Sequence, residues 1–322
     1  MSSKLPLISL VIPCYNEQEN IKPFLSACEM SLPVDYNYEL IFVNDASTDD
    51  TYNVIKSSKI SRKDMSIVQL DLARNSGKEI AVTAGLHKAN GKAVVIIDAD
   101  LQHPPAVIPE LIRKWEQGSE VVIGVRKEDR KYAAWYKRLG GKIFYKIINK
   151  ISEVPIVPYA TDFRLIDRMV VDEFNKFTER NRMNRGLIDW LGFERDYVHF
   201  TPASRIHGEP SYSLTKLTGL ALNSIIGMSL IPLKLAGYLG VLITIIFGLL
   251  GFLVGIEMFL FKDPWHLNIA NSINLAILII FLIGLVLMAL GLAGLYIAAI
   301  HTEVTNRPLY VLRTKQRRTQ QN

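Results

Sequence analysis

The chain has 322 residues, 49% of them hydrophobic and 21% charged, with a formal net charge of +6. This composition excludes a disordered chain and a fibrous repeat, and the length allows two domains, or one domain with a membrane part. Its two cysteines, Cys14 and Cys28, cannot build a disulfide framework, and no CxxC or Cys/His cluster points to zinc, so a reduced, cytosol-facing protein is expected.

The first 125 residues alternate short apolar runs with helix-like segments. Strands are predicted at 7–12, 39–43, 67–72, 93–97 and 120–123, and helices near 18–30, 49–58, 78–89 and 106–117. Short runs rich in Val and Ile between helices predict an α/β fold with a mostly parallel sheet covered on both faces. The first apolar stretch is short, ends at Pro13 and lacks a cleavage site, so it reads as a strand and not as a signal peptide.

In open α/β sheets ligands bind beyond the carboxyl ends of the strands. The segments found there are Pro13-Cys14-Tyr15-Asn16-Glu17, Asn44-Asp45-Ala46-Ser47-Thr48-Asp49, Arg74-Asn75-Ser76-Gly77-Lys78, Asp98-Ala99-Asp100-Leu101-Gln102-His103-Pro104-Pro105 and Gly124-Val125-Arg126. Neither a P-loop nor a dinucleotide-binding fingerprint is present, which leaves a cation as the simplest holder of phosphates. A turn at a strand end can bring the carboxylates of Asp98 and Asp100 together, and hard oxygen ligands suit Mg2+ or Mn2+. Asp49 reads as a helix cap, and His103 as a structural residue.

Residues 130–144 mix Arg130, Lys131, Lys137, Arg138 and Lys142 with aromatics, a pattern that fits a site cover, a bilayer contact or a solvated helix face. The stretch 214–234 is amphipathic and predicts an interfacial helix. Residues 235–261 and 273–300 are apolar runs longer than the about 20 residues that cross a bilayer, and both are expected to span it. Between them lies Lys262-Asp263-Pro264-Trp265-His266, and after them a tail with Arg307, Arg313, Lys315, Arg317 and Arg318. A basic tail is cytoplasmic by the positive-inside rule, and two spans return the chain to the side it left. The expected organisation is a catalytic domain at 1–213, interfacial helix at 214–234, two spans within 235–300 and a basic cytoplasmic tail at 301–322. Basicity gathered around the apolar segments points to anionic lipid headgroups and not to nucleic acid.

Taken together, the segments after the strands resemble the inverting family 2 glycosyltransferases with the GT-A fold. The Asp98–Pro105 block is similar to that of dolichyl-phosphate mannose synthases. Arg205-Ile206-His207-Gly208-Glu209-Pro210-Ser211 is similar to a segment of polyprenyl-phosphate transferases, and the two-span layout resembles the bactoprenol glucosyltransferase branch. The resemblance implies that Pro13, Tyr15, Glu17 and Asp45 hold the base and ribose of a nucleotide sugar, with Lys78, Ala99 and Arg126 near the donor. It implies that Asp98 touches the nucleotide and, with Asp100 and Gln102, the metal. Asp162 matches the catalytic carboxylate, and Arg205 and Ser211 would grip phosphate from the acceptor or the donor side. The implied reaction is metal-dependent transfer of a sugar to a polyprenyl phosphate at the bacterial cytoplasmic membrane. UDP-glucose is the favoured donor, UDP-N-acetylglucosamine and GDP-mannose stay open, and so does a homo-oligomer.

Overall fold

The alternation of strands and helices builds one seven-stranded mixed sheet. The computed structural model describes residues 5–127, 159–180, 182–202 and 307–313, with isolated helical positions between 238 and 305. The elements in chain order are β1 (Leu7–Cys14), α1 (Ile21–Ser31), β2 (Asn37–Asn44), α2 (Thr51–Ser57), β3 (Met65–Asp71), α3 (Lys78–Lys88) and β4 (Ala93–Ile96). A 3-10 turn at Pro105–Val107 leads into α4 (Ile108–Glu116), followed by β5 (Val121–Arg126), β6 (Ala160–Asp167), α5 (Arg168–Phe174), α6 (Asn184–Trp190) and β7 (Arg195–Phe200).

The strand order is β3-β2-β1-β4-β6-β5-β7. β1 pairs in parallel with β2 and β4, and β2 with β3. β6 runs antiparallel between β4 and β5, and β7 closes the far edge parallel to β5. The five strands expected from sequence are all present. Pro13, Cys14 and Asn44 lie inside β1 and β2, and Gly124–Arg126 inside β5, so these residues end strands where the sequence reading had them follow strands.

Successive side chains of a strand point to opposite faces, and the core divides accordingly. Leu10, Ile12, Leu40 and Phe42 pack with Phe24 and Leu111 on one face. Val11, Ile41, Val94 and Ile96 pack with Ala81, Leu86 and Val170 on the other. α3 lies close on β1 because its inner face is small: a Cβ added at Gly85 would stand 2.3 Å from Val11 Cγ1.

The last described segment, part of the stretch expected as a basic tail, is joined to the end of β3. Leu312 forms an antiparallel bridge with Leu72, the Ala73 amide donates to Val311 O (2.8 Å), and the Arg313 amide donates to Asp71 O (2.8 Å). The Arg313 guanidinium also donates to Ala73 O (3.0 Å), and Tyr310 Oη lies 3.1 Å from His87 Nδ1.

The chain divides into two units, Met1–Ser211 with Arg307–Asn322, and Tyr212–Asn306. In the second unit the described positions, Tyr238, Leu242, Ile245 and several from Ile279 to Val304, are helical. Among the described residues no helix is long and apolar enough to cross a membrane. Most of 235–300, and all of 128–158, 203–237, Arg205 and Ser211, lie outside the described residues.

Candidate active site

The polar segments converge at the carboxyl ends of β1, β2 and β4. Non-glycine residues rarely adopt positive φ, yet Asn16 (56°), Ala46 (54°) and Leu101 (60°) do so just beyond these three strands, and Tyr159 (61°) does so just before β6. Held backbone of this kind gathers at working sites. The first two loops lock together: the Asn16 amide donates to Ser47 Oγ (3.0 Å), the Glu17 amide to Thr51 Oγ1 (2.8 Å) and the Gln18 amide to Asp49 Oδ2 (3.3 Å). Asp49 also accepts from the amide and hydroxyl of Thr51, the first residue of α2, whose N-cap is Asp50. Tyr15 stands exposed beside this lock.

Asp45 is buried, and its two carboxylate oxygens accept the amides of Ser76 (2.7 Å) and Gly77 (2.8 Å). Gly77 holds φ of +91°, which only glycine adopts at little cost, and α3 starts at the next residue. Asp45 thus fixes the loop that presents Lys78.

Lys78 Nζ donates to Asp98 (2.7 Å to Oδ1) and to Asp162 Oδ2 (3.1 Å). The register explains the meeting. β4 and β6 pair Ile96 with Arg164, and two further steps along each strand set Asp162 opposite Asp98. Like charges directly opposite are unfavourable, and Lys78 sits between them. Burial works against all three charges, yet the mutual contacts prevail. Lys78 is held above the usual lysine range, and Asp98 and Asp162 below the usual carboxylate range. Both carboxylates are therefore ionised at neutral pH. Arg164 is fully buried and pairs with Asp189 (3.3 Å), not with the neighbouring Asp162.

Asp98, Asp100 and His103 place one ligand atom each within 4.8 Å of one another. His103 is buried, stacked on Phe163 (5.3 Å, 25°) and edge-on to Phe200, and neither ring nitrogen makes a hydrogen bond. Its Nδ1 lies 3.5 Å from Asp98 Oδ2, a contact and not a bond. An imidazole without a hydrogen bond on either nitrogen, beside two carboxylates, fits a divalent cation. Gln102, expected as a ligand, turns its Oε1 to Arg126 Nη2 (3.3 Å), and its amide donates to Asp100 Oδ1 (3.1 Å). Ala99 is buried between the two carboxylates.

The sequence profile of glycosyl transferase family 2 matches residues 9–174. The chain belongs to this family. Its mixed seven-stranded sheet is of the GT-A kind. This family 2 chain is 38% identical over 306 residues to the uncharacterized glycosyltransferase sll0501 of Synechocystis sp., covering 95% of this chain and 94% of that one. It is 38% identical over 311 residues to the bactoprenol glucosyl transferase of Shigella phage SfII, covering 96% and 98%. Among solved structures it is similar to the mannosyltransferase PcManGT from Pyrobaculum calidifontis in complex with GDP-Man and Mn2+, at 19% identity and a TM-score of 0.47, over 64% of this chain and 59% of that one.

Two features of this family 2 site were not anticipated. One is His103 as a member of the cation cluster; its place three residues after Asp100 was the available signal. The other is the first turn of α6, where Asn184 and Arg185 border Asp162. No motif in the sequence pointed to that turn.

Proposed function

We propose that the protein is a membrane-bound inverting glycosyltransferase that moves glucose from UDP-glucose to a polyprenyl phosphate, with Mg2+ or Mn2+ at Asp98, Asp100 and His103. The observation that carries this reading is the near full-length similarity to several bactoprenol glucosyl transferases, at 36–38% identity over 96–97% of this chain. An oxygen of the acceptor phosphate bonds to C1 of the sugar. The bond from C1 to the diphosphate oxygen breaks, and its electron pair leaves with UDP. A phosphate monoester carries between one and two negative charges near pH 7, so the nucleophile needs no proton removed. Asp162 therefore acts by placing Lys78 and the acceptor, not as a base. A bound divalent cation supplies charge neutralisation for the leaving diphosphate. Pro13, Tyr15, Glu17, Asp45 and Arg126 border the nucleotide in this reading, and Arg205 and Ser211 contact phosphate.

The same reading places the protein in the bacterial cytoplasmic membrane with two spans at 235–261 and 273–300, an interfacial helix at 214–234, and both chain ends in the cytoplasm. The bridge between Leu312 and Leu72 supports it, because a segment paired with β3 must lie on the same side as the catalytic domain, which needs an even number of crossings. Exposed apolar side chains at Val286, Leu290, Ile297 and Ile300 suit contact with lipid.

The test is product formation by the full chain in detergent with undecaprenyl phosphate, Mn2+ or Mg2+, and a panel of labelled UDP and GDP sugars. One labelled lipid, made from UDP-glucose and abolished by chelator, is the expected result. A different donor corrects the sugar, and no lipid product from any donor refutes the reading.

A further inference from the structure

A cleft opens beside Asp162. Its walls include Lys78 and Glu79 of α3, Asp162 and Arg164 of β6, and Asn184 and Arg185 of α6. Its cations are unequally engaged. Lys78 is bound to Asp98 and Asp162. Arg164 is buried and directs its guanidinium to Asp189, Thr161 O and Arg185 O. Arg185 differs from both. Its side chain is exposed, it lines the cleft together with Asp162 and Glu79, and it makes no hydrogen bond or ion pair among the described residues.

The backbone of Arg185 is firmly held. The Asn184 amide donates to Glu79 Oε2 (2.8 Å), and Asn184 Nδ2 donates to Glu79 O (2.7 Å). Arg164 Nη1 donates to Arg185 O (3.4 Å). These ties join the residue after Lys78 to the residue before Arg185. The backbone that carries each cation is therefore tied to the other, and both side chains line the cleft, one engaged and one open. The carboxylates of Asp98 and Asp162 would repel an approaching phosphate, and an engaged Lys78 offsets only part of that field. An acceptor with nearly two negative charges needs a cation of its own here, and the planar guanidinium fork matches phosphate oxygens in pairs.

We propose that Arg185 binds the phosphate of the acceptor lipid and holds it beside Asp162, ready to meet the sugar. This rests on the polyprenyl-phosphate reading above and adds a residue of α6 to the phosphate contacts sought there.

The experiment compares wild type, Arg185→Ala and Arg185→Lys, all full-length in detergent, with UDP-glucose and undecaprenyl phosphate varied in turn. UDP binding by calorimetry and a thermal melt establish that each variant is folded and holds nucleotide. Loss of a hydrogen bond between charged groups predicts a rise of about tenfold or more in KM for undecaprenyl phosphate in Arg185→Ala. KM for UDP-glucose and the affinity for UDP stay unchanged, and Arg185→Lys recovers part of the loss because it keeps the charge without the fork. An unchanged acceptor KM, or a donor KM that rises in step with it, overturns the assignment. A wild type that binds UDP but glycosylates no polyprenyl phosphate overturns the reaction itself, and the assignment of Arg185 with it.

Discussion

Replacing Lys78 by methionine should tighten, not weaken, the binding of a divalent cation. Methionine keeps much of the length and removes the charge. In the structure Lys78 Nζ lies 2.7 Å from one oxygen of Asp98 and 2.8 Å from the other, so a cation at Asp98 must share or displace that contact. A hydrogen bond between charged groups is worth about 1.5–3 kcal/mol. The Lys78 side chain is 42% exposed, and solvent screening takes the value to the lower end, about 1.5 kcal/mol. That corresponds to about tenfold in Kd. The assay is titration with Mn2+ at fixed UDP, with free Mn2+ read by electron paramagnetic resonance. Kd should fall about tenfold in Lys78→Met while kcat drops, because Asp162 loses the group that holds it. An unchanged or raised Kd would refute the competition and make Lys78 the organiser of the two carboxylates instead.

Other outcomes follow from the same geometry. The activity lost in Asp162→Asn should not return as pH rises from 7 to 9, because Asp162 is already ionised and removes no proton; recovery in a kcat/KM profile against pH would make it a base. His103→Ala should weaken Mn2+ binding in the same titration while UDP binding without metal is retained, and equal metal affinity would return His103 to a packing role. Gly85→Ala should lower the melting temperature. The new methyl group meets a β-branched side chain 2.3 Å away, and overpacking of about 1–3 kcal/mol exceeds the helix gain of about 1 kcal/mol.

The legible part of the fold was the part with a local signal. β1 to β5 and the helices between them announce themselves as Val- and Ile-rich runs separated by polar turns. β6 hides because Asp162 and Arg164 interrupt its apolar residues, and a buried arginine satisfied by Asp189 cannot be foreseen without the partner. β7 hides because only Val198 and Phe200 of its six residues are buried. The site was legible to the same degree. Asp98 and Asp100 share one turn, so their union is local. The meeting of Lys78 with both Asp98 and Asp162 depends on an antiparallel register set by a strand that begins far down the chain. The edge role of the last segment was missed although Leu309-Tyr310-Val311-Leu312 is a short apolar run between two arginines.

That last segment gives the molecule an order in time. The partners Ala73 and Arg313 are 240 residues apart. At about 5–20 residues per second, a ribosome that has just made the end of β3 takes about 10–50 s to supply the segment that bridges to it. Through that interval the edge has open amides and carbonyls, the kind of template on which other chains can pair. Asp71 to Ala73 likewise gain these bonds only at the end. Completion of the catalytic domain is thus tied to completion of the chain through 313. A polypeptide cut short beyond the second apolar run would keep every residue of the cation cluster and all seven strands, and would leave Asp71 to Ala73 without these partners.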